Sequence, residues 1–200
     1  PIKNILGTTG TRILNAFVNL IILISLTREL GSEGFGVIML VLLAITIIQL
    51  FIDLIAGSSL IYFTPRTSVL KLLLPSYLWI AIIISLSYFL LGILSLHFQG
   101  LYSIIIPDGY EMDIIVLASL NALMLTNYNI LLGSKRIGIY NIIFTIQVLA
   151  LLLVLTGKLF YLNEVSVDSW VTAVYYSYML GYLLSLIAVL YKLRSFNLSG

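Results

Sequence analysis

The chain has 200 residues, of which 61% are apolar and only 9% charged, and its mean hydropathy is +1.15. A soluble domain carries about 25% charged residues, so this composition excludes an ordinary water-soluble fold and places the chain among integral membrane proteins. A formal charge of +2 is too small to suggest a nucleic-acid partner, and the absence of cysteine removes disulfides, a thiol nucleophile and iron–sulfur ligation.

A bilayer crossing takes about 20 apolar residues in a helix. Runs of that kind predict six spans, near 4–27, 36–63, 70–95, 112–132, 138–156 and 170–191, so that residues 1–200 form one bundle. The runs are long and do not alternate with period two, which favours helices over barrel strands. A secretory signal would explain one short apolar stretch near the start, not apolar stretches along the whole chain.

In chain order, the first span carries Thr8, Arg12, Asn15 and Asn19, whose spacing sets them on one helical face. The TRELGSEGFG stretch at 27–36 follows. Here Gly31 is expected to take the positive φ that ends a helix, Ser32 to cap the next one, and Glu33 to sit near its positive dipole end. The second span carries Thr46, Gln49, Asp53 and Gly57 on one face. Counted from the same end of the bundle, Arg12 lies about 14 Å deep and Asp53 about 17 Å. A charge at a helix centre costs about 2.5–3.5 kcal/mol on the mildest scale, so both groups should face a bundle interior or a wet cavity. Arg12 and Asp53 then either pair to hold the two spans together, or Arg12 lines a cavity for an anionic substrate. The two readings are compatible, because a paired guanidinium still has donors to offer. A third reading has Arg12 snorkelling to the interface.

Pro65 in the TPRTS break and Gly133 in GSKRIG stand where spans should stop. The longest connection runs from His97 past Pro107, with Ile104–Ile106 expected along the interface. Asn121, Asn127 and Asn129, and then Asn141, Thr145 and Gln147, read first as interhelical hydrogen-bonding groups and second as a cavity lining. Tyr175, Tyr178 and Tyr182 form a stripe better suited to packing than to sugar stacking. Tyr77, Trp79, Trp170 and Tyr191 read as an interfacial belt.

Basic residues set the expected orientation. With the N-terminus inside, Lys3, Arg12, Arg66, Lys71, Lys135, Arg136, Lys192 and Arg194 fall on or toward the cytoplasmic side, and only Arg28 and Lys158 fall outside. Seven acids fall outside as well, leaving Asp53 within the membrane. Both termini are therefore expected in the cytoplasm. No P-loop, no HExxH and no cysteine–histidine cluster is present, so no cofactor, metal or catalytic residue is assigned and enzymatic chemistry is not expected.

Arg12, the run Arg28-Glu29-Leu30-Gly31-Ser32-Glu33-Gly34-Phe35-Gly36, Asp53 and Arg66 together resemble the polysaccharide flippase family. That family belongs to the superfamily that includes multidrug-and-toxin-extrusion transporters and the lipid II flippase. The likeness covers the first 66 residues; beyond them only the hydropathy pattern agrees. It implies the N-terminal half of a 12- or 14-span transporter of the bacterial inner membrane, with two six-helix repeats facing each other across a cavity. Its implied cargo is an oligosaccharide repeat unit of O-antigen, capsule or exopolysaccharide, linked to a polyprenyl diphosphate. Arg12, Arg28 and Arg66 would attract the diphosphate, Asn15 and Asn19 would share Arg12's polar face, and Asp53 with Gln49 would form an ion-coupling or ion-pair site. Implied partners are the lipid-linked oligosaccharide, membrane lipids, the C-terminal half, a glycan polymerase and glycosyltransferases. Two alternatives stand beside it: an ion-coupled exporter of cationic drugs, and a non-transporting assembly partner of glycan enzymes.

Overall fold

The computed structural model describes residues 2–162 and 166–197, with side chains described over 9–159 and 166–191. Lys3, Lys192 and Arg194 therefore lie outside the described side chains, and Glu164 outside the described residues. Every regular element among the described residues is a helix: α1 (Ile2–Ala56), α2 (Ser58–Phe63), α3 (Val69–His97), α4 (Gln99–Ile105), α5 (Glu111–Gly133), α6 (Ile137–Leu162) and α7 (Val167–Asn197). Five helical stretches are long and apolar enough to cross a membrane, as a multi-pass membrane protein requires.

The 55 residues of α1 would measure about 80 Å if straight, far more than the roughly 30 Å of hydrocarbon in a bilayer. They are not straight. Gly31 has φ 66° and ψ −170°, a conformation open essentially to glycine alone, and it divides α1 into limbs over 2–30 and 32–56. This is the glycine whose positive φ the sequence led one to expect. The bend lies beside the start of α7, since a Cβ on Gly34 would stand 3.0 Å from Leu30 Cβ and 3.7 Å from Val167 Cγ2. The first limb packs through Ile22 and Leu26 against Leu152 and Leu155 of α6. The second limb meets α3, where Trp79 Nε1 donates to the Ile52 carbonyl at 3.2 Å, and α5, where Asn129 Nδ2 donates to the Ala56 carbonyl at 3.3 Å.

Residues 36–63 were expected as one uninterrupted helix; the structure interrupts them at Gly57 (φ −85°, ψ −132°). A Cβ at Gly57 would lie 2.5 Å from the Asp53 carbonyl oxygen, so the break depends on the missing side chain. Beyond it, α2 lies across the end of α5, so close that a Cβ on Gly133 would stand 2.7 Å from Thr64 Cβ and 2.8 Å from the Ile61 carbonyl.

Helix α5 is the centre of the bundle and touches α1, α2, α3, α6 and α7. Ile114, Leu117, Ala118, Ala122 and Leu131 on it are completely buried. Lipid is as apolar as leucine, so helices in a bilayer associate through close packing and interhelical hydrogen bonds and not through hydrophobic burial. The small residues of α5 and Gly181 of α7 supply that closeness: a Cβ on Gly181 would stand 2.6 Å from Met124 Sδ. Tyr128 then packs edge-on to Tyr140 and Phe144, with centroids 5.1 and 6.3 Å away.

Two expectations are corrected. Trp170 is not an interfacial belt residue but is buried in the core at 3% exposure, and Tyr77 and Trp79 turn inward as well. The polar tips of Tyr77 and Trp79 find acceptors on neighbouring helices, which removes the reason for those rings to stay at the wet boundary. The long connection also contains a helix of its own, α4, after which Ile106 is buried while Ile104 is exposed.

Candidate functional site

Apart from Thr126 of α5, whose buried hydroxyl has no partner among the described residues, the polar side chains inside the apolar helices fall into two groups. The first is internally satisfied. Tyr77 donates from α3 to Asn127 Oδ1 at 2.9 Å, and Asn127 Nδ2 donates to Ser185 Oγ on α7 at 3.2 Å. Tyr128 donates to Gln147 Oε1 on α6 at 3.1 Å, and Ser177 of α7 donates to the Gln147 backbone carbonyl at 3.0 Å. Asn127 is fully buried and Gln147 nearly so. These amides are cross-links of the bundle, as the first reading of the α5 and α6 amides had it. The tyrosine stripe on α7 is likewise used for packing and hydrogen bonding, with Tyr175 donating to Asp113 Oδ1 at 2.8 Å.

The second group lies on α1 and is satisfied only in part. Arg12 and Asn19 are exposed on the first limb, and among the described residues Arg12 makes no ion pair or hydrogen bond. Asn15, one turn from Arg12, is turned inward at 3% exposure, and neither its Oδ1 nor its Nδ2 has a partner. It shares the buried stripe of Val18, Ile22 and Leu26 that seats the limb on α6. The polar face expected from spacing is therefore split, with two members outside and one in the helix–helix seam. An orphaned buried carboxamide costs about 1–3 kcal/mol. Asn15→Leu should thus raise the unfolding temperature of the detergent-solubilised protein; an unchanged or lower temperature would show that the carboxamide has a partner in the assembled protein.

On the second limb Asp53 is exposed and accepts a hydrogen bond from Gln49 Nε2 at 2.7 Å, while Gln49 Oε1 accepts one from Asn121 Nδ2 at 3.3 Å. The expected pairing of Asp53 with Arg12 is not what holds it; Gln49 does, four residues earlier on the same helix. Gln49 is buried and ties Asp53 to α5. Thr46 spends its hydroxyl on the Leu42 carbonyl at 2.7 Å. Arg28 is exposed near the Gly31 bend, and Arg66 is exposed at the other end of the second limb, its guanidinium carbon 3.7 Å from the centroid of the Tyr62 ring. The seven expected site residues are thus distributed along α1 and the turn after α2, not gathered in one pocket. Among the described residues no cluster of histidine and acids suits a metal ion.

At the Gly31 end, two tyrosines outside the spans meet acids. Tyr110 donates to Asp168 Oδ1 at 2.7 Å. Burial, and then the hydrogen bond to Asp168, push its hydroxyl up from 10.0 to about 12. Burial and Glu111 likewise move Tyr102 up to about 12. A folded-state value above the unfolded one contributes stability that is fully present below pH 10 and lost as pH rises through 12. Alkaline titration of thermal stability should fall across that window, and Tyr110→Phe should flatten the fall; an identical profile would remove Tyr110 from the account.

No protein-family model, curated protein or solved structure matches this chain. Its chemistry is read from its own residues.

Proposed function

We propose that the chain is one six-span bundle of a flippase that carries polyprenyl-diphosphate-linked oligosaccharide across the bacterial inner membrane, for surface polysaccharide synthesis. The observation that carries this reading is Arg12: exposed, without an ion pair or hydrogen bond among the described residues, and carried on an apolar limb that packs on α6. Lipid would charge a cation there about 2.5–3.5 kcal/mol, whereas a wet cavity shared with a second bundle would not. With each limb of α1 taken as one crossing on either side of the Gly31 bend, α1, α3, α5, α6 and α7 would supply six. In this reading both ends of the chain are cytoplasmic, the second bundle follows as a parallel repeat, and alternating access comes from rocking of the two. Arg12 offers charge-assisted donors to the diphosphate, with Arg28 at the outer mouth. Asn19 meets sugar, and the polymerase and glycosyltransferases act before and after transport.

Asp53 favours a second reading. An exposed carboxylate that accepts a hydrogen bond from Gln49 suits a coupling cation or proton, as in an exporter of cationic drugs. The test is complementation of a strain lacking the full-length gene. Loss of surface glycan with accumulation of its lipid-linked precursor, restored by the gene, supports the flippase. Normal glycan with altered resistance to cationic dyes moves the function to the exporter, and no transport defect of either kind leaves the assembly role.

A further inference from the structure

The end of the bundle opposite the Gly31 bend carries four cations, three on two loops that touch and one on the first turn of α3. Gly133, the last residue of α5, lies against Ile61 and Thr64 at the end of α2, at distances only a glycine permits. Two residues past Thr64 comes Arg66, and two and three residues past Gly133 come Lys135 and Arg136. Each residue spans at most about 3.6 Å, so these backbones are within roughly 20 Å of one another. Lys71 joins them from the first turn of α3. Arg66, Lys71 and Lys135 are exposed, and residues 57–71 and 129–141 contain no acid.

Two details indicate that the charges are placed and not merely tolerated. The Arg66 guanidinium carbon stands 3.7 Å from the centroid of the Tyr62 ring and its Nη1 donates to the Tyr62 carbonyl at 3.5 Å, which orders the group while leaving further donors for a ligand. Lys135 has φ 60°, with its N–H bonded to the Leu132 carbonyl and the Arg136 N–H bonded to the Leu131 carbonyl, both at 2.9 Å. That pattern is the helix-ending motif whose left-handed position glycine normally takes. A lysine there keeps its charge at the expense of backbone strain.

The level of the patch identifies its partner. The 23 residues of α5 measure about 34 Å, against about 30 Å of hydrocarbon and 40–45 Å including headgroups. Gly133 and the loops beside it therefore fall in the headgroup layer, and the exposed Tyr62 and Phe63, packed edge-on, suit that boundary. We infer that the 64–71 and 133–136 loops form a binding site for the phosphate of an anionic bilayer phospholipid. The site rests on membrane embedding alone and stands whether or not the chain moves a lipid-linked sugar. A phospholipid is favoured over the carrier's diphosphate because the cations lie on loops at the headgroup surface, away from the limb that bears Arg12.

The test is native mass spectrometry of the purified full chain with dioleoyl phosphatidylglycerol and dioleoyl phosphatidylcholine at equal concentration. Phosphatidylglycerol should be retained preferentially. That preference should fall about tenfold in the combined variant Arg66→Gln, Lys71→Gln, Lys135→Gln and Arg136→Gln, and persist when Arg28 and Lys158 are both changed to Gln. Lys135→Gly serves where the combined variant does not fold, because glycine suits that backbone, and it should lower the preference by itself. Equal retention of the two lipids by the wild type, or equal losses in the two charge variants, would overturn the inference. So would displacement of phosphatidylglycerol by equimolar undecaprenyl diphosphate, which would assign the site to the carrier lipid instead.

Discussion

Gly133→Val is expected to abolish the folded bundle, or to leave it unstable enough that little reaches the membrane. The atoms that a side chain at 133 would meet are Thr64 Cβ at 2.7 Å, the Ile61 carbonyl oxygen at 2.8 Å and Ile61 Cα at 3.0 Å. Two of the three belong to backbone and cannot rotate away. Relief requires α2 to lift from α5, which also disturbs the Asn129 hydrogen bond to the Ala56 carbonyl just before the Gly57 break. Overpacking of this kind costs about 1–3 kcal/mol, occasionally more, a large share of a total stability near 5–15 kcal/mol. Gly181→Ala is the control. Its nearest neighbour would be closer still, at 2.6 Å, but that neighbour is Met124 Sδ, and a flexible thioether can give way. Gly181→Ala should therefore express and melt close to the wild type while Gly133→Val does not. Expression and thermal unfolding in detergent measure both, and the reverse order would refute the assignment of α2 against α5 as the rigid contact.

Arg12→Ala is expected to stop export of surface glycan without reducing the amount of protein in the membrane. Arg12 is exposed and makes no ion pair or hydrogen bond among the described residues, so truncation should change stability by no more than about 0.5 kcal/mol. A charge-assisted hydrogen bond to a phosphate contributes about 1.5–3 kcal/mol, so losing it should slow transport about tenfold to a hundredfold. Arg12→Lys keeps the charge but not the planar fork and should fall between. Surface glycan and the lipid-linked precursor are the quantities to follow, normalised to membrane-inserted protein. Undiminished export with Arg12→Ala would remove Arg12 from the transport path, and a fall in protein level matching the fall in export would make it a structural residue.

Much of the architecture was legible in the linear order of residues. Apolar runs, Pro65, Gly133 and the acidic and basic turns mark where helices begin and end, because the bilayer requires every backbone polar group to be satisfied within a helix. Gly31 was legible for the same reason: a chain must turn between two long apolar runs, and glycine is the residue that can take φ 66°. The break at Gly57 was not, because nothing local requires it; it follows from α2 finding a seat on α5.

The polar groups divide along the same line. Spacing alone put Arg12, Asn15 and Asn19 on one face and Gln49 with Asp53 on another, since helical periodicity is a local property. Which members point outward was decided by the packing of neighbours distant in sequence. Asn15 is hidden on the same helical stripe as Val18, Ile22 and Leu26, Gln49 lies where Asn121 reaches it from α5, and Trp170 is buried because the core closes around it. Helix termini, turns and polar faces depend on a few consecutive residues, and so the sequence by itself determined them. The partner of each face depends on contacts made across the bundle, and only the tertiary structure decided those: Gln49 joined to Asn121 of α5, Asn127 joined to Ser185 of α7, and the two basic loops drawn together at Gly133.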